Sequence, residues 1–68
     1  EYNMAKGKVK WYNVTKGFGF IAKEDGKDIF VHRTGIDRAI TALEPDQEVS
    51  FDEQDGQKGI MAVNVKLI

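Results

Sequence analysis

The chain contains no cysteine and a single histidine among its 68 residues. Without cysteine, neither a disulfide nor a thiolate metal site can form, and one histidine excludes a multi-histidine metal centre. The sequence also shows no pairing of a nucleophile with a base and no phosphate-cradling loop. We therefore expect a protein that is not an enzyme and that uses no metal, no cofactor and no small-molecule substrate.

Long apolar runs are missing as well. No segment approaches the ~20 residues of a membrane-spanning helix, and no signal-peptide pattern opens the chain. We therefore expect a cytoplasmic protein with no membrane partner. A chain of this length buries only about 60% of its unfolded surface, which favours one small domain, expected to be a monomer. Residues 1–3 precede Met4 and look like a non-native remnant, so the expected domain spans residues 4–68.

The net charge of −1 argues by itself against a nucleic-acid binder, because such domains are usually basic. The distribution of charge points the other way. Residues 1–20 hold four lysines against Glu1 alone, whereas residues 44–55 hold six acids and no base. Such a dipolar surface can present positive potential locally to a polyanion. Ordinary solvated faces explain the same pattern, and both explanations stay open at this stage.

The apolar pattern predicts five short strands, at residues 8–13, 17–23, 28–32, 48–52 and 61–67. Asp25-Gly26 supplies turn chemistry between the second and third strands. Residues 34–42 form a longer connection with one 3₁₀ turn expected around residues 36–38. Five strands with one long connection after the third fit an all-β, five-stranded antiparallel Greek-key barrel of the OB type.

Alternation along the second and third strands assigns their faces. Phe18 and Phe20 share a side with Lys16, and Phe30 shares a side with Asp28 and His32. A face that carries charged side chains is solvated, so the rings are expected to be exposed, although core packing is the ordinary role of phenylalanine. Exposed rings beside lysines indicate a platform on which bases can stack.

The last two strands are expected to supply the core. Val49 and Phe51 share one face of the fourth strand. In the fifth strand, alternation predicts one inward and one outward set, namely Val63, Val65 and Leu67 inward, with Ala62, Asn64 and Lys66 outward.

The first strand leaves two alternatives for Trp11. Strict alternation from an inward Val9 buries Trp11 and exposes Lys8, Lys10 and Tyr12. A bulge would instead expose Trp11. For an isolated tryptophan in a small barrel, burial is the ordinary expectation.

Three segments carry a resemblance to a known family: GKVKWYN at residues 7–13, KGFGFI at 16–21 and DIFVH at 28–32. Together they closely resemble the cold-shock domain, including its two ribonucleoprotein motifs, and the likeness extends through Leu43, residues 47–49, Phe51 and residues 62–65. The resemblance implies an antiparallel barrel that binds single-stranded RNA and DNA with low sequence selectivity and acts as an RNA chaperone. It also implies that Trp11 is a surface stacking residue.

Carried over position by position, the resemblance assigns nine residues to the binding face: Lys10, Trp11, Lys16, Phe18, Phe20, Asp28, Phe30, His32 and Lys58. The rings would stack on bases. The three lysines would meet phosphates, and Asp28 would accept hydrogen bonds from base amino groups. The alternative for Lys10 and Lys58 is that they are ordinary solvated side chains with no role in binding.

The chain departs from the family pattern after the histidine. Arg33 stands where a second aromatic is usual, and Ile40 replaces another aromatic in a connection about one residue short. The Arg33 guanidinium can stack on a base and also meet a phosphate, so Arg33 joins the expected binding residues. Tyr12 replaces the usual phenylalanine, and Ile60 replaces a frequent proline, which leaves the last loop less rigid.

Two other classes of protein remain as alternatives. One is another OB-fold module, of ribosomal-protein or initiation-factor type, which would bind structured RNA or the ribosome. The other is a barrel of SH3 type that uses its aromatic patch for a proline-rich peptide.

Overall fold

A computed structural model describes residues 4–40, 42–56 and 59–68. They form β1 (Met4–Asn13), β2 (Phe18–Lys23), β3 (Asp28–His32), a 3₁₀ turn (Arg33–Gly35), β4 (Glu48–Gly56) and β5 (Gly59–Leu67). The strands close a barrel in the order β1-β2-β3-β5-β4, which confirms the expected fold class. Within the described ranges, no helix is long and apolar enough to cross a membrane.

Four of the five strand contacts are antiparallel, and β3 meets β5 in parallel. The parallel contact is short, with Phe30 opposite Met61 and Val31 opposite Ala62. It follows from the path of the chain, because the connection after β3 carries β4 to the far side of β1. The β4–β5 hairpin then brings β5 back beside β3.

The interior of the barrel is entirely apolar in the described part of the chain. Its nine buried side chains are Val9, Ile21, Ile29, Val31, Leu43, Val49, Phe51, Ala62 and Val65. Phe51 is the largest of the fully buried side chains. The prediction that Val49 and Phe51 belong to the core is confirmed. Burial of all nine apolar side chains supplies the main driving force for folding.

A bulge in β1 resolves the two alternatives for Trp11. Val9 lies opposite Ile21 and Trp11 lies opposite Phe20, so Lys10 is the extra residue. The extra residue reverses the alternation. Val9 is therefore buried while Trp11 is 41% exposed, and Tyr12 packs against the core instead of facing solvent.

The face assignment in β5 is partly wrong. Val65 is buried as predicted, but Val63 is only half-buried, Ala62 is fully buried and Leu67 is 47% exposed. The cause is a second irregularity, because the β4–β5 register shifts between Ser50 and Asp52. Asn64 there adopts a left-handed backbone with φ of 54°, and the inward positions become three residues apart.

The 3₁₀ turn begins earlier than the sequence predicts, at Arg33 instead of around residues 36–38. His32 caps the turn, because its side chain accepts a hydrogen bond from the Thr34 backbone N–H. Gly35 ends the turn packed against β5, where a Cβ would lie 2.7 Å from the Ala62 carbonyl oxygen. A side chain at this position would push the turn away from the barrel.

Candidate nucleic-acid interface

Five ring side chains occupy the outward faces of β1, β2 and β3. We call this set the aromatic platform, and its members are Trp11, Phe18, Phe20, Phe30 and His32. The strand register brings them together, since Trp11 and Phe30 lie on either side of Phe20, and His32 lies opposite Phe18. Trp11 is exposed and the other four rings are half-buried, so the predicted face is observed for all five.

The rings of the platform contact one another. Trp11 lies 5.6 Å from Phe20 and 5.8 Å from Phe18, measured between ring centroids. Phe30 lies 6.1 Å from Phe18 with an interplanar angle of 30°, and 6.5 Å from His32. These separations are typical of favourable aromatic pairs. Each ring therefore braces its neighbours and leaves part of its surface open to an incoming base.

The backbone beneath the platform permits this close arrangement. Gly19 lies between Phe18 and Phe20, and a Cβ on it would overlap with the Trp11 carbonyl oxygen and lie 2.7 Å from the Tyr12 Cα. Only glycine allows β1 to approach β2 so closely at this point.

Two of the predicted binding residues are partners of each other. Lys10 Nζ lies 2.8 Å from Asp28 Oδ2, in an ion pair whose side chains are 55% and 40% exposed. The bulge places Lys10 at the edge of the platform. A phosphate that binds Lys10 must therefore compete with the Asp28 carboxylate.

The remaining predicted cation in the first turn, Lys16, is exposed beside Phe18. Its backbone N–H donates to Asn13 Oδ1 at 2.9 Å, and the Gly17 N–H donates to the Asn13 carbonyl oxygen at 2.7 Å. These bonds order the turn, and Gly17 accommodates its φ of 77° without a Cβ clash. The Lys16 side chain remains exposed on an ordered backbone.

His32 is held in a defined orientation. Its Nδ1 accepts the Thr34 backbone N–H at 3.2 Å and lies 3.0 Å from Thr34 Oγ1. Because Nδ1 accepts this hydrogen bond, the neutral ring carries its hydrogen on Nε2. The ring therefore offers a face for stacking and one N–H donor.

Arg33 lies past the end of the platform. Its backbone N–H donates to the Gly17 carbonyl oxygen at 2.8 Å, and its exposed side chain crosses Gly17, where a Cβ would lie 2.7 Å from Arg33 Cδ. Beside it is a small cavity of about 130 Å³, lined also by Tyr12, Val14 and Ile40. Lys58, the last predicted cation, lies outside the described residues.

A second charged cluster lies at the opposite end of β2. Lys23 Nζ is 3.0 Å from Glu53 Oε2 and 3.7 Å from Asp25 Oδ2. The hydrogen bond with Glu53 raises the pKa of Lys23, and the backbone N–H of Lys27 lowers the pKa of the Asp25 carboxyl group. These contacts join β2 to β4 and to the β2–β3 turn, away from the platform.

One outward side chain beside the platform is not predicted from the sequence. Met61 on β5 lies opposite Phe30 across the parallel contact. Strand alternation assigns faces within a strand, but it does not reveal which non-consecutive strands are neighbours. The order of residues therefore does not indicate that Met61 pairs with Phe30.

The barrel and its platform define a small all-β binding module with an aromatic surface. Residues 5–68 match the family described as the 'Cold-shock' DNA-binding domain. The chain therefore belongs to the cold-shock domain family, whose members bind nucleic acid, and the resemblance in the three sequence motifs is confirmed.

Bacterial relatives support the same assignment. The chain is 49% identical over 63 residues to the major cold shock protein of Streptococcus pyogenes, covering 91% of this chain and 94% of the relative. It is 54% identical over 65 residues to the cold shock-like protein CspC of Shigella flexneri, covering 93% of this chain and 94% of the relative. The likeness thus spans nearly the full length of these proteins.

A solved structure shares the fold. Drosophila Unr CSD456 superposes with a TM-score of 0.80 at 22% sequence identity, over 98% of this chain and 27% of that chain. At this identity the likeness concerns the fold alone.

Proposed function

We propose that this protein binds single-stranded RNA and DNA by stacking unpaired bases on the aromatic platform, with low sequence selectivity. The observation that carries the proposal is the grouping of Trp11, Phe18, Phe20, Phe30 and His32 on one outward face. Every base has a flat π surface, so stacking on rings is tolerant of sequence and contributes ~1–3 kcal/mol per base.

The charged residues around the platform would hold the sugar-phosphate backbone. Lys16 and Arg33 lie past Phe18 and His32, and Lys10 lies at the opposite edge of the platform beside Asp28. We assign phosphate contacts to these three cations and to Lys58, and hydrogen bonds with base amino groups to Asp28. The rings then supply most of the affinity, and the cations add a salt-dependent part.

Binding of this kind would make the protein an RNA chaperone. Bases in a duplex stack on one another and are not available to the platform. A protein that binds only the open form shifts the equilibrium towards that form by mass action. No chemical step is required, so we propose a non-enzymatic, monomeric protein that acts on single strands in the cytoplasm.

Fluorescence of Trp11 tests this proposal, because Trp11 is the single tryptophan of the chain. Stacking of a base on the indole should quench its emission. We expect saturable quenching by oligo-dT, much weaker quenching by a duplex of the same length, and none by a proline-rich peptide. Quenching by the peptide alone would identify the SH3-type function, and stronger quenching by structured RNA would favour another OB-fold module.

A further inference from the structure

A groove on the surface of β5 borders the aromatic platform without belonging to it. It lies between the segment that follows β3 and the outward faces of β4 and β5, and has a volume of about 550 Å³. The residues that matter here are Thr34, Ile36, Gln54, Met61, Asn64 and Lys66. This volume lies in the range of sites that hold small organic groups.

The groove continues the platform across the barrel. One cross-strand row of neighbours runs through all five strands in the order Trp11, Phe20, Phe30, Met61 and Gln54. Val31 and Ala62 point into the core, so Phe30 and Met61, which precede them, both point outward. A nucleic-acid strand that extends past Phe30 along this row therefore reaches Met61 and the groove.

A hydrogen bond joins the two surfaces at a second place. His32 Nδ1 lies 3.0 Å from the hydroxyl oxygen of Thr34, and Thr34 is in the wall of the groove. The last ring of the platform and the first wall of the groove are therefore fixed relative to each other.

The groove combines an apolar surface with groups that recognise bases and phosphate. Met61 and Ile36 are half-buried apolar side chains, and Gln54 and Lys66 are exposed. The half-buried Asp37 adds one carboxylate to the lining, so a phosphate must bind on the Lys66 side of the groove. Asn64 Nδ2 donates to Asp52 Oδ2 at 2.9 Å. Because a carboxylate accepts and does not donate, this bond fixes the amide and leaves the Asn64 carbonyl oxygen available as an acceptor.

We propose that this groove binds one further nucleotide of a single strand whose other bases stack on the aromatic platform. This inference rests on the proposed function and extends its site. The base contacts the Met61 thioether, the Gln54 and Asn64 amides hydrogen-bond to its edge, and Lys66 meets its phosphate. The Asn64 carbonyl oxygen accepts from the amino or imino N–H that every base presents, so this contact does not select one base.

The test is a ladder of oligo-dT lengths with the double variant Gln54→Ala/Lys66→Ala. Both residues are exposed, so the barrel should keep its stability. The variant should bind oligonucleotides that are too short to leave the platform as tightly as the parent does. For longer ones it should lose about tenfold in affinity, from one hydrogen bond and one phosphate contact.

Lys27→Ala is the matched control. It removes the same charge from the β2–β3 turn and keeps the backbone N–H that donates to Asp25. Its effect should be small and equal at all lengths. A methyl NMR signal from Met61 should shift only with oligonucleotides long enough to reach the groove.

The inference is overturned if the double variant matches the parent at every length, or if it loses affinity equally at every length. Phe30→Ala separates this failure from failure of the proposed function. If the platform binds oligonucleotides but the groove does not, Phe30→Ala still weakens the binding of the shortest oligonucleotides. If the parent binds no oligonucleotide at all, both proposals fail.

Discussion

Single side chains decide how far the platform extends. Where cold-shock domains usually continue with an aromatic after the histidine, this chain has Arg33, and the structure lays it across Gly17 at the end of the platform. A guanidinium can stack and carry charge, whereas an aromatic ring only stacks. We therefore propose that Arg33 replaces part of a salt-independent contact with a salt-dependent one.

Substitution of Arg33 separates these two contributions. Arg33→Phe should hold or raise affinity for oligo-dT at high salt, and should make the slope of log affinity against log salt shallower by up to ~0.7, as one cation is lost. Arg33→Ala should lose both contributions. Titrations with oligo-dT across a series of salt concentrations measure both the affinity and the slope. If Arg33→Ala binds as tightly as the parent throughout, the platform ends at His32.

The Lys10–Asp28 ion pair predicts a gain of affinity. Asp28→Asn removes the competing charge but keeps a hydrogen-bond acceptor for a base. If Lys10 meets a phosphate, the variant should bind oligo-dT more tightly at low salt, with a slope steeper by up to about 0.7.

Glu24→Gln is the control for this variant, because it removes an equal charge from the β2–β3 turn. Asp28→Asn should raise oligo-dT affinity at low salt clearly more than Glu24→Gln does. Equal behaviour would mean that the gain is a general effect of net charge, and that Lys10 does not contact the strand.

At the scale of elements, departures from regular alternation position the site. The platform rings of β2 and β3 follow period two, and this is why the faces of Phe18, Phe20 and Phe30 could be assigned from sequence. Trp11 could not be assigned in this way, because a bulge depends on how two strands meet and not on the order of residues in one. The family resemblance supplied the correct answer there.

The fifth strand shows the same limit. Its register shift occurs where Asn64 takes a left-handed backbone, and nothing in the apolar pattern of residues 61–67 marks that point. The alternation therefore assigns the wrong face to Ala62, which is buried, and to Leu67, which is exposed. The parallel contact of β3 with β5 was likewise invisible, so Met61 was missed as a neighbour of Phe30.

The close approach of β1 and β2 can be tested at Gly19. Gly19→Ala drives a Cβ into the β1 backbone, and such overpacking should cost about 3 kcal/mol of unfolding free energy. Gly26→Ala is the comparison, because Gly26 has open space around it and only a positive φ of 90°. Its backbone strain should cost about 1 kcal/mol.

Chemical denaturation of the two glycine variants gives the comparison directly. The larger loss should occur at Gly19, with weaker binding as the Trp11 side of the platform moves. A larger loss at Gly26 would mean that β1 can shift away from β2 at little cost.

At the scale of the whole molecule, one small barrel divides its two faces between stability and binding. The buried face is purely apolar in the described part of the chain, and the outward face of β1, β2 and β3 holds the rings. Since the rings brace one another at the surface, much of their apolar area stays available for a ligand. We therefore expect folding and binding to depend on different side chains, even where these are adjacent in sequence.

Phe30 and Val31 test that division most directly, because they are consecutive residues on opposite faces of β3. Phe30→Ala should weaken oligo-dT binding by ~1–3 kcal/mol, since one stacked base loses its ring, and should lower stability less than Val31→Ala does. Val31→Ala should cost about 2 kcal/mol of stability, because it leaves a cavity in the core, and should leave the affinity of the folded protein nearly unchanged. Measuring the oligo-dT affinity and the unfolding free energy of both variants shows whether binding and stability depend on opposite faces of β3. If Phe30→Ala instead unfolds the barrel while the molecules that remain folded bind as tightly as the parent, the platform is a core and not a binding surface.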